Sequence, residues 1–188
     1  MAIAISPGNN NVFGCKHYKR QCRLLAPCCN NTYSCHICHD ENESHTVNRF
    51  SILNHLCTNC NELQPVNKFC SKCEIKFGEY ACVLCYMFDE NTKGQFHCLS
   101  CGICRIGGAQ NYFHCKTCNM CLALRLADNH KCVENCASGD CPLCAEFLQT
   151  TRIELHVPKC GHLIHKSCYE QLLEQQFDCC PVCKEKYN

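Results

Sequence analysis

Cys141-Pro142-Leu143-Cys144, continued by Cys160-x-His162, His165-x2-Cys168 and Cys180-Pro181-Val182-Cys183, is the stretch that decides how this chain is read. It offers eight soft ligands in four pairs, enough for two tetrahedral zinc ions. Two ligands separated by two residues chelate one metal from a tight turn. The 15 residues after Cys144 and the 11 after Cys168 are long enough to cross between sites.

In its order of three cysteines, two histidines and three cysteines, the stretch resembles a RING finger of the RING-H2 type. The resemblance implies that the first and third pairs (Cys141, Cys144, His165, Cys168) hold one zinc. The second and fourth (Cys160, His162, Cys180, Cys183) then hold the other, in a ββα cross-brace. The doublet Cys179-Cys180 leaves two candidate ligands, and the Cys-Pro-x-Cys motif favours Cys180. Ser167-x-x-Glu170 is a capping-box signature that predicts a helix over Cys168–Gln176, with Leu172 and Leu173 near one face. Arg152–Val157 alternates as a short strand. The family implies a function without a catalytic residue. A RING binds a ubiquitin-conjugating enzyme (E2) carrying ubiquitin as a thioester and holds it so that a substrate lysine attacks. Leu143, Leu172 and Pro181 match the family's E2-contact surface, and Lys184 matches a basic residue that bridges E2 and ubiquitin. Core packing alone also accounts for Leu172.

Composition agrees with metal. The 188 residues include 27 cysteines, and without them the 46% hydrophobic share falls to roughly a third, with no Trp. That is thin material for one large core, so cross-links must offset the entropy of ordering the chain. Eleven histidines, many beside a cysteine, select zinc over disulfides, which have no use for them. The start has no basic n-region or apolar run of signal-peptide length, and no stretch is long and apolar enough to cross a membrane. An intracellular protein of the cytoplasm or nucleus is expected, in a eukaryote or something replicating in one. The formal charge of +1 becomes about −7 when 24 thiolates bind eight zincs, which argues against a nucleic-acid surface.

Upstream, residues 1–13 read as a flexible tail and 14–77 as three ligand sets. Cys15, His17, Cys35 and Cys38 make a reasonable first set, leaving Cys28, Cys29, His39 and His45 as the second. Cys57, Cys60, Cys70 and Cys73 form a four-cysteine knuckle. The Cys-x-His-Tyr opening, the Cys-Cys doublet and the Cys-x2-Cys-His element resemble a CHY-type zinc finger. Over 78–132, Phe96-His97-Cys98-x2-Cys101-x2-Cys104 recurs seventeen residues later as Phe113-His114-Cys115-x2-Cys118-x2-Cys121. Cys82-x2-Cys85 precedes the repeat and His130-x-Cys132 closes it. Interleaved sites are expected, because a repeat that cannot satisfy itself is completed by its neighbours. Cys98 and Cys101 would join Cys82 and Cys85; His97 and Cys104 would join Cys115 and Cys118; His114 and Cys121 would meet His130 and Cys132. The product is a spiral of short strands, and the segment resembles a CTCHY-type zinc finger. A linker over 133–140, the RING over 141–184 and a short tail over 185–188 complete the expected division. Cys22, Cys136, Cys179, His36, His55 and His156 stay outside the ligand count.

The order CHY finger, CTCHY finger, RING resembles the CHY-and-RING family of E3 ubiquitin ligases, a small zinc-stabilised multidomain class with little regular secondary structure. The resemblance implies about eight structural zinc ions, an E2~ubiquitin partner, a protein substrate recruited by the N-terminal zinc array, and scope for a homodimer. Known members usually continue into a further C-terminal region, whereas this chain stops at Asn188. The alternative expectation is therefore a non-catalytic zinc adaptor that competes with a longer ligase.

Overall fold

The computed structural model describes residues 13–151 and 153–187. Most of the expected N-terminal tail, Arg152 of the expected strand, and Asn188 lie outside the described residues. Among the described residues secondary structure is sparse: strands of two to four residues and two α-helices. The chain divides into one unit reaching to Gln95 and another starting at Phe96.

The first unit is built on an antiparallel sheet of β1 (Cys22–Leu25), β2 (Thr32–Tyr33), β3 (Asn54–Cys57) and β4 (Leu63–Pro65), in the order β2-β1-β3-β4. The register sets Leu24 opposite Tyr33 and Cys22 opposite Cys57. Alternation along β1 buries Cys22 and Leu24, which serve two small cores. Leu24, Ala26, Val47 and Ile52 form one. Cys22, Cys57, Cys70, Phe77 and Phe88 form the other, with the buried ring of His55 edge-on to Phe77 at 4.4 Å. Between β2 and β3 runs α1 (His36–Asn42), capped by Cys35, whose sulfur accepts from the Cys38 N–H. A hairpin of β5 (Tyr80–Cys82) and β6 (Met87–Asp89) lies near the unit's C-terminal end.

The second unit is a series of hairpins ending in a helix: β7 (Phe96–Cys98) with β8 (Ile103–Arg105), β9 (Tyr112–Cys115) with β10 (Met120–Ala123), and β11 (Leu155–His156) with β12 (Ile164–His165). Then follows α2 (Lys166–Glu174). The helix begins before the expected Cys168. His165 occupies the N-cap position without capping through its side chain, because that ring is turned toward Cys144. Ser167 therefore falls inside the first turn. On α2 Leu172 is buried, at 7% exposure, whereas Leu173, about 100° further round the helix, is 44% exposed.

One core runs through this unit. Cys115, Cys118, Met120 and Leu122 from β9–β10 pack in the same cluster as Ala137, Cys141, Leu148, Leu163, Ile164, Cys168 and Leu172. The segment 133–140, expected to be a linker, is sewn down. Asn135 N–H donates to Thr117 O at 2.8 Å, Ala137 N–H to Cys118 O at 3.3 Å, and Ala137 is fully buried. The expected tail behaves likewise: Tyr187 is buried beside Cys160 and Cys180, and its N–H donates to Asp178 O at 2.8 Å.

Candidate metal centres and a docking groove

One turn recurs at seven of the ten places where two cysteines are separated by two residues. After Cys60, Cys73, Cys85, Cys101, Cys118, Cys144 and Cys183 the next residue is left-handed: Asn61 (φ 56°), Glu74 (61°), Tyr86 (52°), Gly102 (66°), Asn119 (56°), Ala145 (58°) and Lys184 (63°). Its N–H returns to the first cysteine's carbonyl, as Asn61 does to Cys57 (3.1 Å), Ala145 to Cys141 (2.9 Å) and Lys184 to Cys180 (2.9 Å). Amide hydrogens inside the turn reach sulfur: Cys101 N–H donates to Cys98 Sγ at 3.4 Å, and Cys118 N–H to Cys115 Sγ at 3.5 Å. Such donors favour the thiolate, the form that binds metal.

Donor atoms of Cys15, His17, Cys35 and Cys38 lie within 4.8 Å of one another, as do those of Cys28, Cys29, His39 and His45, and those of Cys57, Cys60, Cys70 and Cys73. In the second unit the grouping differs from the expected interleaving. Cys98 and Cys101 gather with His114 and Cys121, with Cys101 3.2 Å from His114 Nδ1 and 3.6 Å from Cys121 Sγ. Register explains this: β9–β10 sets His114 directly opposite Cys121, making a two-ligand clip. That clip takes the cysteine pair of the preceding hairpin rather than His130 and Cys132 of the following loop. His97 and Cys104 form a similar clip across β7–β8, 3.8 Å apart. Cys115 instead meets Cys132 at 3.7 Å, and Cys132 meets His130 Nε2 at 3.2 Å.

In the last segment His165 Nδ1 is 3.2 Å from Cys144 and 4.0 Å from Cys168. Burial, then hydrogen bonding from Cys141 and Cys144, pushes the Cys168 thiol up to about 12. Burial and the neighbouring Cys180 push Cys160 up to about 11, with Cys183 also beside it. His162 Nδ1 is buried there without a hydrogen-bond partner. Cys180 is buried in this cluster, and the backbone of the neighbouring Cys179 pairs with that of Lys186.

These dimensions fit zinc. Tetrahedral bonds of about 2.3 Å to sulfur and 2.0 Å to nitrogen imply edges of roughly 3.8 Å between sulfurs and 3.5 Å between nitrogen and sulfur. The sulfur pairs Cys57–Cys73 (3.7 Å) and Cys60–Cys70 (3.5 Å), and His17 Nδ1 to Cys35 (3.4 Å) and Cys38 (3.5 Å), match those edges. All 27 cysteines are free of disulfides. Crowded thiols also titrate apart: the Asn59 side chain and Ile75 N–H bring Cys73 down to about 6, while burial pushes Cys57 up to about 12. A divalent cation among them allows all four to ionise.

Second partners fix the imidazoles. His130 Nδ1 lies 2.6 Å from Leu126 O, and a carbonyl only accepts, so Nδ1 carries the proton and Nε2 offers its lone pair toward Cys132. Asp40 Oδ1 lies 2.8 Å from His39 Nδ1, leaving Nε2 facing Cys28 at 3.2 Å. Glu41 Oε1 lies 3.4 Å from His17 Nε2, leaving Nδ1 facing the sulfurs. These orienting groups were missed in sequence, although Asp40-Glu41 directly after Cys38-His39 was a readable signal.

The four residues expected to meet a conjugating enzyme line one shallow groove: Leu143 from the first turn, Leu172 from α2, and Pro181 and Lys184 from the last turn. Pro142, Gln175, Phe177 and Cys179 complete it. Lys184 Nζ donates to Pro181 O at 3.0 Å. Leu172 serves both readings, since it lines the groove and belongs to the core. Of the remaining residues, Cys136 lies against Cys118 O at 3.8 Å, His156 stacks on Tyr169 at 3.9 Å, and Cys22 is buried with its thiol pushed up to about 12 by burial.

A CHY zinc finger family model matches residues 15–80, and a RING finger domain model matches 139–184. The chain is 44% identical over 174 residues to the E3 ubiquitin-protein ligase SRFP1 of Oryza sativa subsp. japonica, across 91% of this chain and 67% of that protein. It is 37% identical over 183 residues to the E3 ubiquitin-protein ligase RZFP34 of Arabidopsis thaliana, covering 92% and 63%. Zinc finger protein BRUTUS of the same plant is 36% identical over 177 residues, covering 92% of this chain but 14% of its own length. The chain thus spans roughly two thirds of the two ligases' length and a small part of BRUTUS.

Proposed function

The chain belongs to the family of proteins that carry a CHY zinc finger ahead of a RING finger, and on that premise we propose that it is a RING-type E3 ubiquitin ligase. The observation that carries the reading is the groove where Leu143, Leu172, Pro181 and Lys184 lie side by side on the RING segment. An exposed leucine on the first turn and an apolar floor from α2 and Pro181 suit an apolar loop of an E2. Lys184 offers a cation at the rim for a donor ubiquitin. No side chain forms a bond with ubiquitin: the ligase confines a mobile thioester to geometries from which a substrate lysine attacks.

In this reading the thirty-two Cys and His ligands named above hold eight structural zinc ions at four ligands each. The zinc array ahead of the RING, over residues 14–132, recruits the protein substrate, in the cytoplasm or nucleus. The test is autoubiquitination by the purified chain with E1, ubiquitin and a panel of E2 enzymes. Chain formation by the wild type, abolished in Cys141→Ala, is the expected result. Neither activity nor E2 binding with any member of the panel would overturn the proposal in favour of a non-catalytic adaptor.

A further inference from the structure

The way α2 ends brings one more side chain to the groove. Gln176 N–H donates to Leu173 O at 3.0 Å and Phe177 N–H to Leu172 O at 2.8 Å, the two backbone bonds of a Schellman stop. That stop needs a left-handed residue just past the helix, a place usually given to glycine. Here Gln176 takes it, with φ 62°, and a side chain in that conformation costs about 1–2 kcal/mol. The turn delivers Phe177 to the groove that Leu143, Leu172, Pro181 and Lys184 also line.

Folding alone does not account for that ring. Phe177 is 56% exposed and joins none of the four apolar clusters formed by the described residues, whereas Leu172 belongs to the core. A phenyl group left in water forgoes the burial that would stabilise it. Aromatic side chains at the centre of an interface recover that energy when a partner covers them, and a few such anchors carry most of the binding. Exposure by itself does not single out Phe177, since the neighbouring Leu173 is also exposed; Leu173 is outside the groove and Phe177 lines it. Lys184 is the one charged residue among the described residues that line it, so most of the occupant's surface must be uncharged.

We propose that Phe177 is a specificity-determining anchor of this groove: it selects conjugating enzymes whose docking loop sets a large apolar side chain against its ring, and rejects those whose loop is charged there. The inference rests on the ligase reading and adds to it which class of E2 the groove accepts.

The experiment titrates the full zinc-loaded chain with each E2 of the panel by calorimetry. Phe177→Ala should raise the Kd of every E2 that the wild type binds by at least about tenfold, with zinc content and thermal midpoint unchanged. Phe177→Tyr, which keeps the ring, should stay within about threefold, and Leu173→Ala within about twofold. Phe177→Gln replaces the alanine variant if that one loses zinc, with the same expectation. For the E2 bound most tightly, alanine at the large apolar residue of its docking loop, combined with Phe177→Ala, should weaken binding no further than either change alone. Fully additive losses, a Phe177→Ala chain that binds like the wild type, or an equal loss in Leu173→Ala would each overturn the anchor while the ligase reading stands. No binding by the wild type to any E2, or undiminished binding by Leu143→Ala, would instead remove the E2 assignment of the groove, and the anchor with it.

Discussion

Single atoms decide several features of this protein. Gly161, between the candidate ligands Cys160 and His162, has φ +85°, and a Cβ there would stand 2.1 Å from Lys131 O. Left-handed strain alone costs about 1–3 kcal/mol for a non-glycine residue, and here the obstacle is backbone. Gly161→Ala should therefore lower the thermal midpoint of the second unit, as read by calorimetry, and loosen zinc at Cys160. A wild-type melt would show that the close approach is relaxed in solution. Leu143 and Leu172 make a second contrast at this scale. Leu143 is 42% exposed, so Leu143→Ala should change stability by no more than about 0.5 kcal/mol while abolishing E2-dependent chain formation. Leu172→Ala should cost about 2–5 kcal/mol and remove activity with it, because one side chain fills the core and floors the groove. Denaturant melts beside the ubiquitination assay separate the two. Ligand candidates were legible in sequence because chelation from a tight turn demands fixed spacing. The burial of Arg20, which is 1% exposed, was not legible, since nothing in its flanking residues announces that a cation lies inside.

The element that builds the molecule is the cysteine turn, closed by a left-handed residue after its second cysteine. Only Gly102, of the residues at that closing position, is free of a Cβ. The others adopt the conformation at some cost, estimated as about 1–2 kcal/mol per residue, which metal binding offsets. Ala145→Gly should accordingly raise stability by about 0.5–1 kcal/mol, after allowing for the greater freedom of glycine in the unfolded chain. A lower chemical-denaturation midpoint in that variant would refute the account. Hairpin pairing explains what spacing could not. Which cysteine pair a His/Cys clip seizes depends on cross-strand register and the direction in which the hairpin faces, and His-Cys-x2-Cys-x2-Cys is compatible with either neighbour. The start of α2 was misread for a related reason. Ser167-x-x-Glu170 has the letters of a cap, but His165 is committed to Cys144 and fixes where the helix begins.

At the scale of the molecule, apolar burial is distributed in small clusters rather than gathered in one mass. Folding energy must then come largely from metal binding. Removing zinc with 1,10-phenanthroline should erase the near-ultraviolet circular dichroism and chemical-shift dispersion, and re-adding zinc should restore them. A fold that survives chelation would mean the cores suffice unaided. The broad class was readable in composition, because 27 cysteines with 11 histidines leave few other ways to order a chain with so little oil. The continuity of the core from β9–β10 to α2 was not readable, since residues 133–140 look like any polar connector. Cys118→Ala should thus reach beyond its own metal set and raise alkylation of Cys141 and Cys168, measured by mass spectrometry.

That shared core has a bearing on quality control. Stability within a protein comes in cooperative blocks that open together. Here the hairpin that holds Cys115 and Cys118 and the helix that carries Leu172 pack in one cluster and are expected to open together. A copy that loses metal from the hairpin, by oxidation or scarcity, therefore loses the groove in the same event. On the proposed reading, damage upstream should then yield a silent molecule, rather than one that still engages a charged enzyme while presenting a ruined neighbour.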